Sequence, residues 1–170
     1  MNAGMGFKNK YVVQCIKPDG SLRWEETVFN LVTTEGLNDV LQNYFKGAAY
    51  TAAHYMGLKT AGSIVASDTL ANLGASSLAW DEYTYYTGDR PAIVLGTVAN
   101  GAVDNADNRA NFVIDGDPNG AGSVVAGIMV ATVATGYAGV LFGAVDFPAA
   151  RTVLNGDTLI VTVQFTMVNA

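Results

Sequence analysis

Residues 155–167 read Asn-Gly-Asp-Thr-Leu-Ile-Val-Thr-Val-Gln-Phe-Thr-Met. After the Asn155-Gly156-Asp157 turn, Leu159, Val161, Val163, Phe165 and Met167 alternate with Thr158, Ile160, Thr162, Gln164 and Thr166. Side chains point to opposite faces of a strand in turn, so this period of two predicts an antiparallel strand with one face in a core and one toward solvent. The same logic runs toward the N-terminus. Tyr11 to Lys17 and Leu22 to Phe29 read as two strands joined by Pro18-Asp19-Gly20-Ser21, residues that suit a tight turn. His54 to Thr60 reads as a strand, and Trp80 to Thr87 as an aromatic-rich one. Ala92 to Ala99 and Arg109 to Ile114 read as a pair around a polar loop at 100–108. Residues 115–120 form a turn cluster. Residues 61–79 read as a long loop of small residues, with one helical turn near Asp68-Thr69-Leu70.

One stretch carries helical periodicity. Leu37, Val40, Leu41, Tyr44 and Phe45 recur at three and four residues and form a single apolar stripe. Thr33 or Thr34 can cap its start, Glu35 suits the first turn and Gly47 can end it. The stripe is expected to pack against a sheet as core. About eight strands at regular spacing with one short α-helix, at about 33–46, predict a mainly β fold, an antiparallel β-sandwich or a jelly-roll-like barrel. Residues 1–10, with two Gly and two Asn around Met5 and Phe7, are expected to be a flexible arm, and 11–170 a single β-rich domain.

Composition agrees. The 170 residues include 24 Ala, 19 Gly, 20 Val and 15 Thr, a small and β-branched alphabet. Half the chain is hydrophobic and 14% is charged, which excludes a disordered polymer. A chain of this size buries about 70% of its unfolded surface and needs no disulfide or metal to hold together. Net charge is -6. Residues 1–60 carry six Lys and Arg against five acids, and 61–170 carry three Arg against ten acids, with no Lys after position 59. Cations nowhere cluster as phosphate binding requires, so direct nucleic-acid binding is not expected. Residues 118–145 are uncharged, but Pro118, Asn119 and Thr135-Gly136-Tyr137 interrupt them. They read as two buried strands, roughly 123–133 and 138–146, and no membrane contact is expected. The opening MNAGMGFKNK lacks the apolar core of a signal peptide, so classical export is not expected.

Catalytic chemistry finds little to use. Cys15 is the single cysteine and His54 the single histidine, no Ser sits in a G-x-S-x-G elbow, and no nucleophile–base spacing is present. Asp81 and Glu82 are neighbours in a strand pattern and point to opposite faces. Asp104, Asp107, Asp115 and Asp117, with Asn105, Asn108 and Asn119, carry oxygen ligands suited to calcium. They lack the calcium-loop order and match ordinary turn chemistry. No enzyme activity, metal or cofactor is expected. Candidate partner contacts are Phe7, Lys8 and Lys10 in the arm and the aromatic run Trp80, Tyr83, Tyr85 and Tyr86. In strand alternation that run splits into a core face and an interface face.

Several stretches in order carry a resemblance: Phe29-Asn30-Leu31-Val32, Glu35-Gly36-Leu37, His54-Tyr55-Met56-Gly57-Leu58, Ala66-Ser67-Asp68-Thr69-Leu70, Trp80-Asp81-Glu82, Tyr86, Arg90-Pro91 and Asn155-Gly156-Asp157-Thr158-Leu159. Over residues 28–98 and 153–168 the chain resembles small auxiliary virion proteins of tailed bacteriophages, most closely capsid decoration, or cement, proteins. The resemblance implies a non-enzymatic structural protein, made in the host bacterial cytoplasm and bound to the capsid surface. Its implied partner is the major capsid protein, and it implies a homo-oligomer, dimer or trimer. Segment 100–150 takes no part in the resemblance. The alternative is a tail or fibre module that recognises host-surface carbohydrate through the 80–86 aromatics or the acidic loops.

Overall fold

The computed structural model describes residues 5–47, 53–116 and 123–169. In chain order the elements are β1 (Met5–Ile16), β2 (Leu22–Phe29), β3 (Leu31–Val32), α1 (Thr34–Val40, continued by a wider π-helical turn over Leu41–Phe45), β4 (Tyr55–Lys59) and α2 (Leu70–Gly74). They continue as β5 (Glu82–Tyr83), β6 (Ala102–Asp104), β7 (Ala110–Val113), β8 (Ser123–Ala131), β9 (Leu141–Val153) and β10 (Thr158–Asn169). One sheet runs β2-β1-β10, with β6 and β7 both paired to the far edge of β10. The other runs β3-β9-β8-β4-β5, and no strand is shared between them. The ladders between these strands are antiparallel, and the two sheets enclose one core, so the fold is an antiparallel β-sandwich.

The alternating stretch becomes β10 and fixes the register of the first sheet. Leu159, Val161 and Val163 lie opposite Cys15, Val13 and Tyr11 of β1, and all six are fully buried. Thr158, Ile160, Thr162 and Gln164 line the other face, half-exposed. The turn at Gly156 takes a positive φ of 87°, and the hairpin turn at Gly20 one of 83°, a backbone that glycine enters without a Cβ clash.

The first sheet also corrects the expected arm. Met5 to Lys10 are not free: they continue β1 and pair with Asn169 to Gln164 of β10. Their Gly and Asn content signals flexibility only in an isolated chain. Here β10 runs on to Asn169 and offers an open edge, and the ladder bonds hold the segment. Residues 1–4 lie outside the described residues.

The second sheet is buried on both faces, which explains the long uncharged run. From β8, Val125, Ile128 and Val130 enter the main core, whereas Met129 and Ala131 face a second cluster with Leu70, Leu73, Trp80, Leu141 and Ala144. The cover comes from the 61–79 segment, where the helical turn expected near Asp68-Thr69-Leu70 forms as α2, capped by Thr69, and Ile64 and Leu78 pack onto the outer face. The register of β8 and β9 shifts between Val125 and Gly127, opposite the part of β9 that holds Pro148. A residue with no N–H to give to a ladder fits at such an irregularity. No helix among the described residues is long and apolar enough to cross a membrane.

Three strand expectations change. Within 80–87 only Glu82 and Tyr83 are strand. Within 92–99 only single bridges form, Ala92 with Tyr55 and Ala99 with Ala102. β7 pairs with β10 instead of with 92–99, and β6 lies inside the expected 100–108 loop.

Candidate interaction surface

Three charged clusters inside the fold are committed to holding it. Lys59, Gly127 and Asp146 lie abreast on β4, β8 and β9. Gly127 leaves room for the Lys59 stem to cross it: a Cβ there would stand 2.8 Å from Lys59 Cδ and 2.0 Å from the Val145 carbonyl oxygen. Lys59 Nζ then donates to Asp146 Oδ1 at 2.5 Å, to the Gly62 carbonyl at 2.5 Å and to the Thr60 carbonyl at 3.0 Å, and lies over the Trp80 ring. An ammonium has three protons to donate, and all three are used. Trp80 Nε1 donates to Asp68 Oδ2. Arg90 forms a two-pronged pair with Glu82, Nε to Oε1 and Nη2 to Oε2, both at 2.6 Å. Its Nη1 reaches the carbonyls of Val133 and Gly136. Asp157 accepts from Arg23, from the Leu154 amide and, at 3.6 Å, from the Cys15 thiol.

The two candidate reactive groups stand apart. Burial, and then the Asp157 charge, push the Cys15 thiol up to about 12, so it stays protonated and unreactive near neutrality. His54 sits edge-on to Phe142, which touches Phe165, and Phe165 lies opposite Asn9. Six residues of β1, about 20 Å, separate Asn9 from Cys15. The two groups therefore occupy different ends of the sandwich. Burial pushes the His54 imidazole below its usual range, against an opposing pull from Asp39.

The acidic loops are engaged as turns. Asn105 is buried and bonds the Val163 amide and the Val161 and Asn108 carbonyls. Asp104 accepts from the Ala106 amide, and Asp115 from the Thr87 hydroxyl. Asp117 and Asn119 lie outside the described residues.

The aromatic run divides differently from strand alternation, because only two of its residues are strand. Trp80 is buried in the outer cluster, Tyr83 and Tyr86 are buried in the main core, and Tyr85 alone is exposed. Three of the four candidate rings are therefore not available to a partner. The other candidates sit on a sheet instead of an arm. Phe7 is half-buried, while Lys8 and Lys10 are exposed on the outer face of β1. Lys10 lies opposite Phe29, and Lys8 Nζ stands 4.7 Å from the centre of the Phe29 ring.

The largest departure is α1. Its stripe, expected as core, faces water: Leu37 is 41% exposed, Leu41 53%, Phe45 62% and Tyr44 81%. Phe29 and Leu31, which lead into it, are 55% and 40% exposed. Only Val40 packs against the core cluster. The helix is nevertheless rigidly seated. Thr33 caps it by accepting from the Gly36 amide, and its hydroxyl donates to the Leu141 carbonyl. Glu35 Oε2 accepts from the amides of Leu70 and Leu141. Gly36 lies so close to β9 that a Cβ would stand 2.2 Å from the Phe142 carbonyl oxygen. Those inward anchors leave the large apolar side chains on the outward side, a ridge over 37–45. Periodicity found the stripe but could not say on which side the body lies, since a contact with a partner and a contact with a core produce the same spacing. No protein-family model matches the chain, and no curated protein matches it significantly.

Proposed function

We propose that this chain is a non-enzymatic structural protein of a tailed-phage virion, a decoration or cement protein that binds the outer capsid lattice and stabilises it. The observation that carries this reading is the rigidly seated apolar ridge on α1. Such surface is costly in water and is characteristic of a protein that works within an assembly, whether its cover is a copy of itself or a neighbour. A cement protein opposes the pressure of packaged DNA by burying surface across subunit junctions, a task that needs a stiff body and contact faces but no chemistry. The doubly covered second sheet supplies stiffness, and the ordered resemblance over 28–98 and 153–168 points the same way. The major capsid protein is the proposed partner, and the outer-face patch of Lys8, Lys10 and Phe29 is the proposed contact with it, Phe7 alternating to the opposite face of β1. Tyr85 alone is a poor sugar platform, which weighs against the carbohydrate-binding alternative. Co-sedimentation with expanded capsids that lack the protein tests the proposal, with isolated tails as control. Saturable binding to capsids, in a simple ratio to capsid subunits, is the expected result. Binding to tails alone, or to neither, overturns it.

A further inference from the structure

We propose that the occupant of the α1 ridge is a second copy of this chain, with two ridges packed across a closed two-fold axis. The inference rests on reading the ridge as an assembly surface, and it does not depend on which lattice the assembly joins. Size supports it first. At the exposures given above, the four ridge side chains with Leu31 leave on the order of 500 Å² of apolar surface on water, taking roughly 200 Å² for an aromatic side chain. A standard interface takes about 800 Å² from each partner, and the smallest specific ones about 600 Å². The patch is therefore large enough to supply most of one side of a modest dimer.

Chemistry selects the partner. Leu37, Leu41, Tyr44 and Phe45 carry no charge. The acids on the same helix are already occupied: Glu35 bonds the Leu70 and Leu141 amides, and Asp39 accepts from Asn43 Nδ2 at 2.8 Å. A foreign partner is usually selected and oriented by complementary charge, which the ridge itself does not offer, its exposed cation Lys46 lying past the end of the helix. A two-fold contact requires only that the surface complement itself, and apolar side chains meeting their own kind leave no charge buried and unpaired. Antiparallel helices across the axis also set opposite dipole ends side by side. Because Thr33, Glu35 and Gly36 fix the helix from behind, little order is lost when the face is covered.

Sedimentation velocity of the full chain over roughly 1–100 μM tests this, a range that brackets a dimer of modest affinity. The native chain is expected to shift from monomer to dimer, and Tyr44→Glu to weaken dimerisation about thirtyfold or more, as loss of a central aromatic does. Leu41→Ser, a milder change, is expected to weaken it as well, and both variants should keep the native circular dichroism because neither side chain is in the core. A native chain that stays monomeric throughout, a trimer, or a dimer that both variants leave unchanged would overturn the proposal. The capsid experiment separates the two readings. A native dimer that ignores capsids keeps this inference and removes the decoration reading, whereas a native monomer that binds capsids does the reverse.

Discussion

Arg90 and Glu82 meet with 3% and 5% of their side chains exposed, far from the water that would solvate either alone. The pair ties the 82–90 segment to the 133–136 turn, since Arg90 also holds the Val133 and Gly136 carbonyls. Removing one partner of a buried pair leaves the other charge uncompensated, which typically costs 3–5 kcal/mol. Arg90→Met is therefore expected to destabilise by about 3–5 kcal/mol in urea unfolding, and Glu82→Gln added to it should recover part of that loss. If the single variant loses under about 1 kcal/mol, the pair is solvated and the clasp is not structural. His54 makes a different prediction. Burial lowers its folded-state pKa below the ordinary 6.5, so the folded chain holds fewer protons than the unfolded chain just below that pH. Stability then rises with pH in that window, and the contribution is complete above 6.5 and lost as pH falls toward the folded value. His54→Gln should narrow the difference in urea midpoint between about pH 5.5 and 7.5. An unchanged difference would assign the slope to carboxylates.

At the scale of elements, β1 separates the two ways of reading its first residues. As a flexible arm, residues 6–10 would exchange amide protons at open-chain rates. As a strand paired to β10 on one side, the alternate amides that point at β10 should be protected far beyond open-chain rates, and native-state hydrogen exchange decides between these outcomes. The error in expectation has a physical cause: Gly6 and Asn9 lower local strand propensity, but a partner edge more than 150 residues away in the chain outweighs it. Elements with strict periodicity were legible, as β10 and the β1–β2 hairpin were, and so was the double-sided burial of β8 once its run was read as strand. Short strands set by distant partners were not legible: β6 has three residues and β5 has two. The ridge was half-legible, since its spacing was visible and its outward direction was not. The aromatic run misled because alternation predicts faces only where a strand is continuous, and between Trp80 and Tyr86 it is not.

At the scale of the whole molecule, the last strand holds the first sheet together. β10 pairs with β1 along its full length and takes β6 and β7 on its other edge, so every other strand of that sheet except β2 bonds to it directly. Its inward residues Leu159, Val161 and Val163 also fill the core against the second sheet. Among the described elements no local substitute exists, because β1 is the first of them and its partner β10 the last. Loops that long must close before their contacts stabilise anything, and such topologies fold in milliseconds to seconds instead of microseconds. A chain ending at Gly156 therefore keeps β1 and β2 as a hairpin that meets the second sheet chiefly through β2, where Trp24 packs on Phe147 and donates to the Thr152 carbonyl, and a hairpin so thinly supported is marginal in water. That truncation is expected to abolish cooperative urea unfolding altogether. Adding a peptide of residues 157–170 to the truncated chain should restore a cooperative transition, because the missing strand re-enters a slot bounded on both sides by existing partners. A truncated chain that unfolds cooperatively without the peptide would place the organising core in the second sheet alone, and the stiffness proposed for a capsid clamp would then have to come from half the sandwich.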